Sequence, residues 1–159
     1  MKNSGFTIVE LLVAITLFLV ITAIGSGTFI QSLRTQRGVT SLIAANSNAS
    51  LAMEQIAREM RTGQNFSLIG EELSFVNAKS QSVIYRLKNE AIERIVNGES
   101  GLITASNVKI FRLNFILAGE NPTDGLPTKI TIVLGIGASG AADAKINLQT
   151  TVSSRILEG

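Results

Sequence analysis

Apolar residues fill the front of the chain almost without interruption. Between residues 6 and 24 only Thr7, Glu10, Thr16 and Thr22 are polar, and residues 11–33 contain no charge. As a helix, residues 6–24 measure about 28 Å at a rise of about 1.5 Å per residue, close to the ~30 Å hydrocarbon of a bilayer. Charges return at Arg34 and no later stretch is long and apolar enough for a second span, so the pattern predicts a single membrane-crossing helix. Beyond Gly38 a helical period persists through Val39, Leu42, Ile43, Ala49, Met53, Ile56, Ala57 and Met60. With no proline before Pro122, one nearly continuous helix over residues 6–61 is allowed. Gly63 is its predicted stop, and Arg58 and Arg61 fall in the last turn, where cations suit the helix dipole. Glu54 and Arg58 form an i,i+4 pair worth a few tenths of a kcal/mol.

After Gly63 the period changes to two. Val83, Tyr85 and Leu87 alternate with Ile84, Arg86 and Lys88, and a short turn at Asn89-Glu90 leads into residues 91–96, which predicts a hairpin. Phe111, Leu113, Phe115 and Leu117 form a second alternating set, Ile130, Ile132, Leu134 and Ile136 a third, and Ile146, Leu148, Thr150 and Val152 a fourth. A first strand falls around residues 72–77. Residues 119–127 and 135–144 are rich in turn-forming or small residues and read as surface loops. The expected product is an α+β fold in which a one-sided antiparallel sheet is covered by the amphipathic outer half of a long N-terminal helix.

Composition narrows the chemistry. The 159 residues include no cysteine, histidine or tryptophan, and carry 14 basic and 12 acidic side chains. Disulfide scaffolds, cysteine or histidine metal sites, and nucleophiles that depend on a thiol or an imidazole are therefore excluded. The mean hydropathy of +0.33 reflects the apolar front. A secretory signal peptide is the competing reading of such a front, but only Lys2 precedes it, a carboxylate sits near its start, and residues 23–25 match a small-residue cleavage site poorly.

That carboxylate, Glu10, requires a partner. An unpaired acid in hydrocarbon is penalised by about 2.5–3.5 kcal/mol at mid-membrane and less near an end. Cutting the chain between Gly5 and Phe6 would create an α-amine four residues from Glu10, on the same face if both are helical. The amine could pair with its own Glu10, or the carboxylate could favour the helix N-terminus. In a staggered bundle of identical helices it could instead meet a neighbour's carboxylate, making burial of Glu10 conditional on assembly.

Residues 1–5, Met-Lys-Asn-Ser-Gly, followed by Phe-Thr-Ile-Val-Glu-Leu-Leu-Val-Ala-Ile, resemble the class III signal of type IV prepilins and type II secretion pseudopilins. The resemblance covers about the first 30 residues. It implies that a prepilin peptidase cuts after Gly5 and methylates the amine of Phe6, and that Glu10 is the carboxylate that pairs with an adjacent subunit during assembly. It further implies a cytoplasmic-membrane protein with its N-terminus inside and its head outside, and then a cell-surface or periplasmic filament of pilin or pseudopilin subunits. The leader is short, with one lysine where many relatives carry more. On this reading residues 1–5 are the leader, 6–30 the transmembrane and assembly helix, 31–63 its amphipathic outer half, and 64–159 the globular β head. Gly25-Ser26-Gly27 marks either a place where the helix can bend or a close-packing surface. The order of elements in the head is similar to J-type minor pseudopilins and W-type minor pilins.

Other candidate chemistry is sparse. Glu71 with Glu72, Glu90 with Glu93, and Glu120 with Asp124 form possible carboxylate pairs that read as solvated turn and edge charge. Asp124 and Asp143 stand in loops without the alternating oxygen ligands that calcium requires. Residues 153–155 read as a strand end. No catalytic, cofactor-binding or metal residue is assigned, and the expected role is structural rather than enzymatic. Removing Lys2 leaves 13 basic against 12 acidic side chains, with no run for a DNA backbone to engage. Arg86, Lys88 and Arg94 are expected to share a mixed face with Glu90 and Glu93. DNA is therefore not an expected partner. A DNA-uptake or adhesive minor pilin, and a membrane-tethered ectodomain that never assembles, are the alternatives.

Overall fold

A computed structural model describes residues 5–119, 127–138 and 145–155. Its first element, α1 (Ile8–Arg61), is an unbroken α-helix through Gly25-Ser26-Gly27. The chain divides into two compact units, residues 1–39 and 40–159, and α1 contributes to both. In the first unit every described side chain through residue 37 is exposed, so the apolar stretch finds no protein cover around its circumference. Three threonine hydroxyls there bond to the helix's own carbonyls. Thr16 donates to the carbonyls of Leu12 (3.0 Å) and Val13 (2.9 Å), Thr22 to Phe18 (2.8 Å), and Thr28 to Ile24 (3.0 Å). Internal pairing of this kind removes the penalty that a free hydroxyl would carry in hydrocarbon.

In the second unit the end of α1 buries Ala45, Ala49, Ala52, Met53, Ile56, Ala57 and Met60. Val39 and Ile43, expected on the covered face, are instead exposed. Four of the seven buried residues are alanines. The last turn tightens through Thr62 N–H to the Glu59 carbonyl (3.3 Å) and Gly63 N–H to the Met60 carbonyl (3.1 Å). Glycine is needed at 63 for space, since a Cβ there would lie 2.6 Å from Cδ2 of buried Phe75.

The strands form two antiparallel sheets rather than the single sheet expected. The first is a five-stranded meander of β1 (Gln64–Ile69), β2 (Glu72–Val76), β3 (Ser82–Lys88), β4 (Ala91–Val96) and β5 (Glu99–Leu102). The second holds β6 (Val108–Ala118), β7 (Lys129–Ala138) and β8 (Lys145–Ser153). Asn89 and Glu90 at the β3–β4 turn both have positive φ (50° and 59°), as do Asn97 and Gly98 at the β4–β5 turn (49° and 92°). These are the left-handed pairs that match the twist of a tight hairpin. The two sheets meet where Ile110 N–H of β6 donates to the Glu90 carbonyl (2.8 Å). One core, led by Phe75, Tyr85, Phe115, Ile130, Ile132 and Leu134, lies between them and α1.

Two expectations for the second sheet are corrected, the first by a local irregularity. The β6–β7 register slips between Ile110 and Arg112, so Phe111 is an extra residue and its side chain turns outward, 44% exposed, while Val108 and Ile110 turn inward. Such a bulge reverses the alternation on its upstream side. Residues 135–138, expected in a loop, complete β7: residues 135–137 pair with both neighbours and Ala138 pairs with Val108 of β6. Gly135 stands under the displaced Phe111 ring, where a Cβ would come within 2.7 Å of Cζ. Lys145 Nζ lies over the same ring, 5.3 Å from its centroid. Leu113, Phe115, the four isoleucine and leucine positions of β7 and Val152 point inward as expected.

Candidate processing and assembly site

The described chain enters α1 through Gly5, Phe6 and Thr7, none of which is helical. Thr7 is the N-cap. Its Oγ1 accepts the Glu10 backbone N–H (3.2 Å), and its carbonyl accepts the Leu11 N–H (3.2 Å) as the first bond of the helical ladder. Thr-x-x-Glu is the sequence form of a capping box, with Glu10 in the third helical position. The carboxylate thus sits in the first turn, where free N–H groups and the helix dipole favour negative charge. Because α1 begins at Ile8 rather than residue 6, Phe6 and Glu10 do not share a helical face in this uncut chain. Phe6 is exposed, and the Gly5–Phe6 bond lies outside the helical ladder.

Residues 1–26 match the prokaryotic N-terminal methylation motif. The motif supports a type IV pilin-like substrate of a prepilin peptidase, and with the apolar helix it is consistent with anchoring in the inner membrane. No curated protein and no solved structure matches the chain.

The second unit holds a charged network that the sequence pattern does not mark. Glu59, near the end of α1, accepts the Tyr85 hydroxyl at Oε2 (2.6 Å), Arg94 Nε at Oε2 (2.9 Å), Arg94 Nη2 at Oε1, and Asn77 Nδ2 at Oε1 (3.1 Å). Tyr85 and Arg94 are direct cross-strand partners, so one helical carboxylate fastens α1 to the face of the meander. Burial pushes the Glu59 carboxyl up, but hydrogen bonds from Arg94, Tyr85 and Asn77 outweigh it and hold the group below its ordinary value. Burial and then the Glu59 carboxylate push the Tyr85 hydroxyl well above the usual range. The hydrogen bond to Glu59 raises Arg94. Asn77 also organises the β2–β3 turn, its Oδ1 accepting the N–H groups of Lys79 and Gln81 (both 3.0 Å). Both Tyr85 and Arg94 occur in readable strands, but their meeting with Glu59 depends on how the helix lies across the meander.

The carboxylates expected to be solvated divide. Glu93 is not solvated: its side chain is 4% exposed, and it accepts Arg86 Nε (2.6 Å) and Lys88 Nζ (2.8 Å). Those bonds, Lys88 first, lower its carboxyl, while the Glu93 and Glu72 contacts raise Arg86. Glu72 reaches Arg86 (3.2 Å) and Glu90 reaches Lys109 (3.0 Å). Arg94 does not join Arg86 and Lys88, because it is paired with Tyr85 on the opposite face. Glu54 and Arg58 form the expected exposed pair (2.8 Å). Glu120, Asp124 and Asp143, with the rest of residues 120–126 and 139–144 expected in loops, lie outside the described residues.

Proposed function

We propose that the chain is the precursor of a structural filament subunit. A prepilin peptidase cuts between Gly5 and Phe6 and methylates the new Phe6 amine, and the mature chain joins other pilin or pseudopilin subunits through the apolar half of α1. The observation that carries this reading is the methylation motif at residues 1–26 on a helix whose residues 11–33 carry no charge and are all exposed. Lateral packing between such helices supplies most of the association, and Glu10 fixes their axial stagger by pairing with a neighbour's Phe6 amine. Before assembly the subunit is held in the cytoplasmic membrane by one span, with the head outside. Afterwards it belongs to a periplasmic or cell-surface filament of a type IV pilus or type II secretion machine. The order of elements in the head favours a minor subunit of the J or W type.

Replacing Glu10 by leucine tests this reading. Membrane insertion should persist, since the change only makes the span more apolar, while incorporation into filaments, measured by shearing and immunoblotting, should fall at least tenfold. Normal incorporation of the Glu10→Leu chain would remove the assembly role, as would a wild-type chain that stays entirely in the membrane fraction of a filament-producing cell.

A further inference from the structure

We propose that the Thr7 hydroxyl is a positioning group for cleavage: by capping α1 it holds the Gly5–Phe6 bond out of the helix and so keeps it open to the peptidase. This rests on the processing reading above and adds to it a residue and a mechanism.

The cap and an earlier helix start compete for the same donor. A helix extended upstream would need the Glu10 N–H for the Phe6 carbonyl and the Val9 N–H for the Gly5 carbonyl. In the structure the Glu10 N–H is already given to Thr7 Oγ1 (3.2 Å), and the ladder begins one residue later with Leu11 N–H on the Thr7 carbonyl. Little else in the sequence stops the helix at this point. Phe6 and Ile8 are apolar and compatible with a helix, Gly5 weakens a helix without blocking it, and Ser4, a capping residue by type, stands ready upstream. Hydrocarbon surroundings add pressure to extend, since backbone groups there are driven into internal hydrogen bonds. A bond inside a helical turn has its carbonyl engaged and its flanking side chains wound around the axis. A bond before the cap has both backbone groups free for the enzyme to hold.

The consequence separates the hydroxyl's conformational role from simple recognition of its shape. Serine and asparagine cap as well as threonine and should preserve cleavage, whereas alanine and valine should not. Proline at the first helical position sets the helix start independently, because it suits that position and pushes the preceding residue out of the helical region. Ile8 occupies that position and is exposed. Cleavage lost through Thr7→Ala should therefore return in the Thr7→Ala, Ile8→Pro double variant, although no hydroxyl is present.

The experiment uses the full-length precursor in detergent micelles with a purified prepilin peptidase. It follows loss of residues 1–5 by mass spectrometry and the Cα chemical shifts of Gly5 and Phe6 in labelled chain. Thr7→Ala should slow cleavage about fivefold, the usual worth of a cap, and move both shifts toward helical values. Thr7→Ser should match wild type, and the double variant should recover. Wild-type cleavage with an unaffected Thr7→Ala chain would overturn this inference alone. Slow cleavage with unmoved shifts, or no recovery in the double variant, would also overturn it, making the hydroxyl a contact for the enzyme instead. An uncut wild-type precursor would overturn the processing reading itself and this one with it.

Discussion

Glu59 offers the sharpest probe of how the head is held to its helix. Its carboxylate is 17% exposed and its partner Arg94 27% exposed, and it receives four hydrogen bonds from Arg94, Tyr85 and Asn77. A hydrogen bond to a charged group contributes about 1.5–3 kcal/mol, and removing one member of a fully buried pair costs about 3–5 kcal/mol because the other is left uncompensated. Arg94 keeps some access to water, so Glu59→Ala should destabilise the head by about 2–4 kcal/mol. Glu59→Gln, which keeps shape and part of the bonding, should cost about 1–2 kcal/mol. The sign of the pH effect follows from the depressed carboxyl. Below the unfolded pKa of about 4.3 the unfolded chain takes up a proton that the folded chain resists. The stabilisation is therefore complete above that value and is lost as pH falls through the lower folded one. Glu93, lowered in the same direction, adds to the acid slope. Tyr85 is the chain's single tyrosine and there is no tryptophan, so near-ultraviolet circular dichroism during urea unfolding in micelles reads this locus. Both variants should lose stability at pH 7 and show a shallower loss from pH 5 to pH 3 than wild type. A change under about 0.5 kcal/mol, or an acid slope identical to wild type, would refute the role given to Glu59.

Two glycines should respond differently to the same added methyl. Gly63→Ala drives a Cβ into Phe75, which is buried and cannot swing away, and should lower stability by about 2 kcal/mol in the same denaturation assay. Gly135→Ala meets Phe111, a ring that is 44% exposed and free to turn outward. Its cost should stay below about 1 kcal/mol, and combination with Phe111→Ala should abolish it.

What the sequence made readable follows from how locally each element is determined. The long helix and its stop near Gly63, the β3–β4 hairpin and the inward faces of β7 and β8 all rest on periodicity or on a turn within a few residues. β1 and β5 escaped because they are edge strands with little alternation: all four residues of β5 and all but Phe66 of β1 are exposed. For β5 a signal was nevertheless present, since Asn97-Gly98 is the dipeptide most suited to a tight hairpin turn. The bulge at Phe111 had no local mark, because an alternating Phe-x-Leu-x-Phe run continues through it; only Gly135 on the neighbouring strand makes room for the ring. The division into two sheets, and the Glu59 network that ties α1 to one of them, depend on tertiary placement that periodicity does not encode. At the N-terminus the lone carboxylate in the apolar run marks Glu10 and the resemblance to prepilins marks Gly5 and Phe6, while Thr7 carries a signal of its own, since Thr-x-x-Glu before an apolar run is a helix-start pattern.

The exact mass and N-terminal fragment ions of the chain recovered from cells that possess a prepilin peptidase reach the root of the functional reading. A protein beginning at N-methylated Phe6, with residues 1–5 gone, is the predicted result. A chain that still begins at Met1, or one that begins near Ser26 after ordinary signal removal, would contradict it.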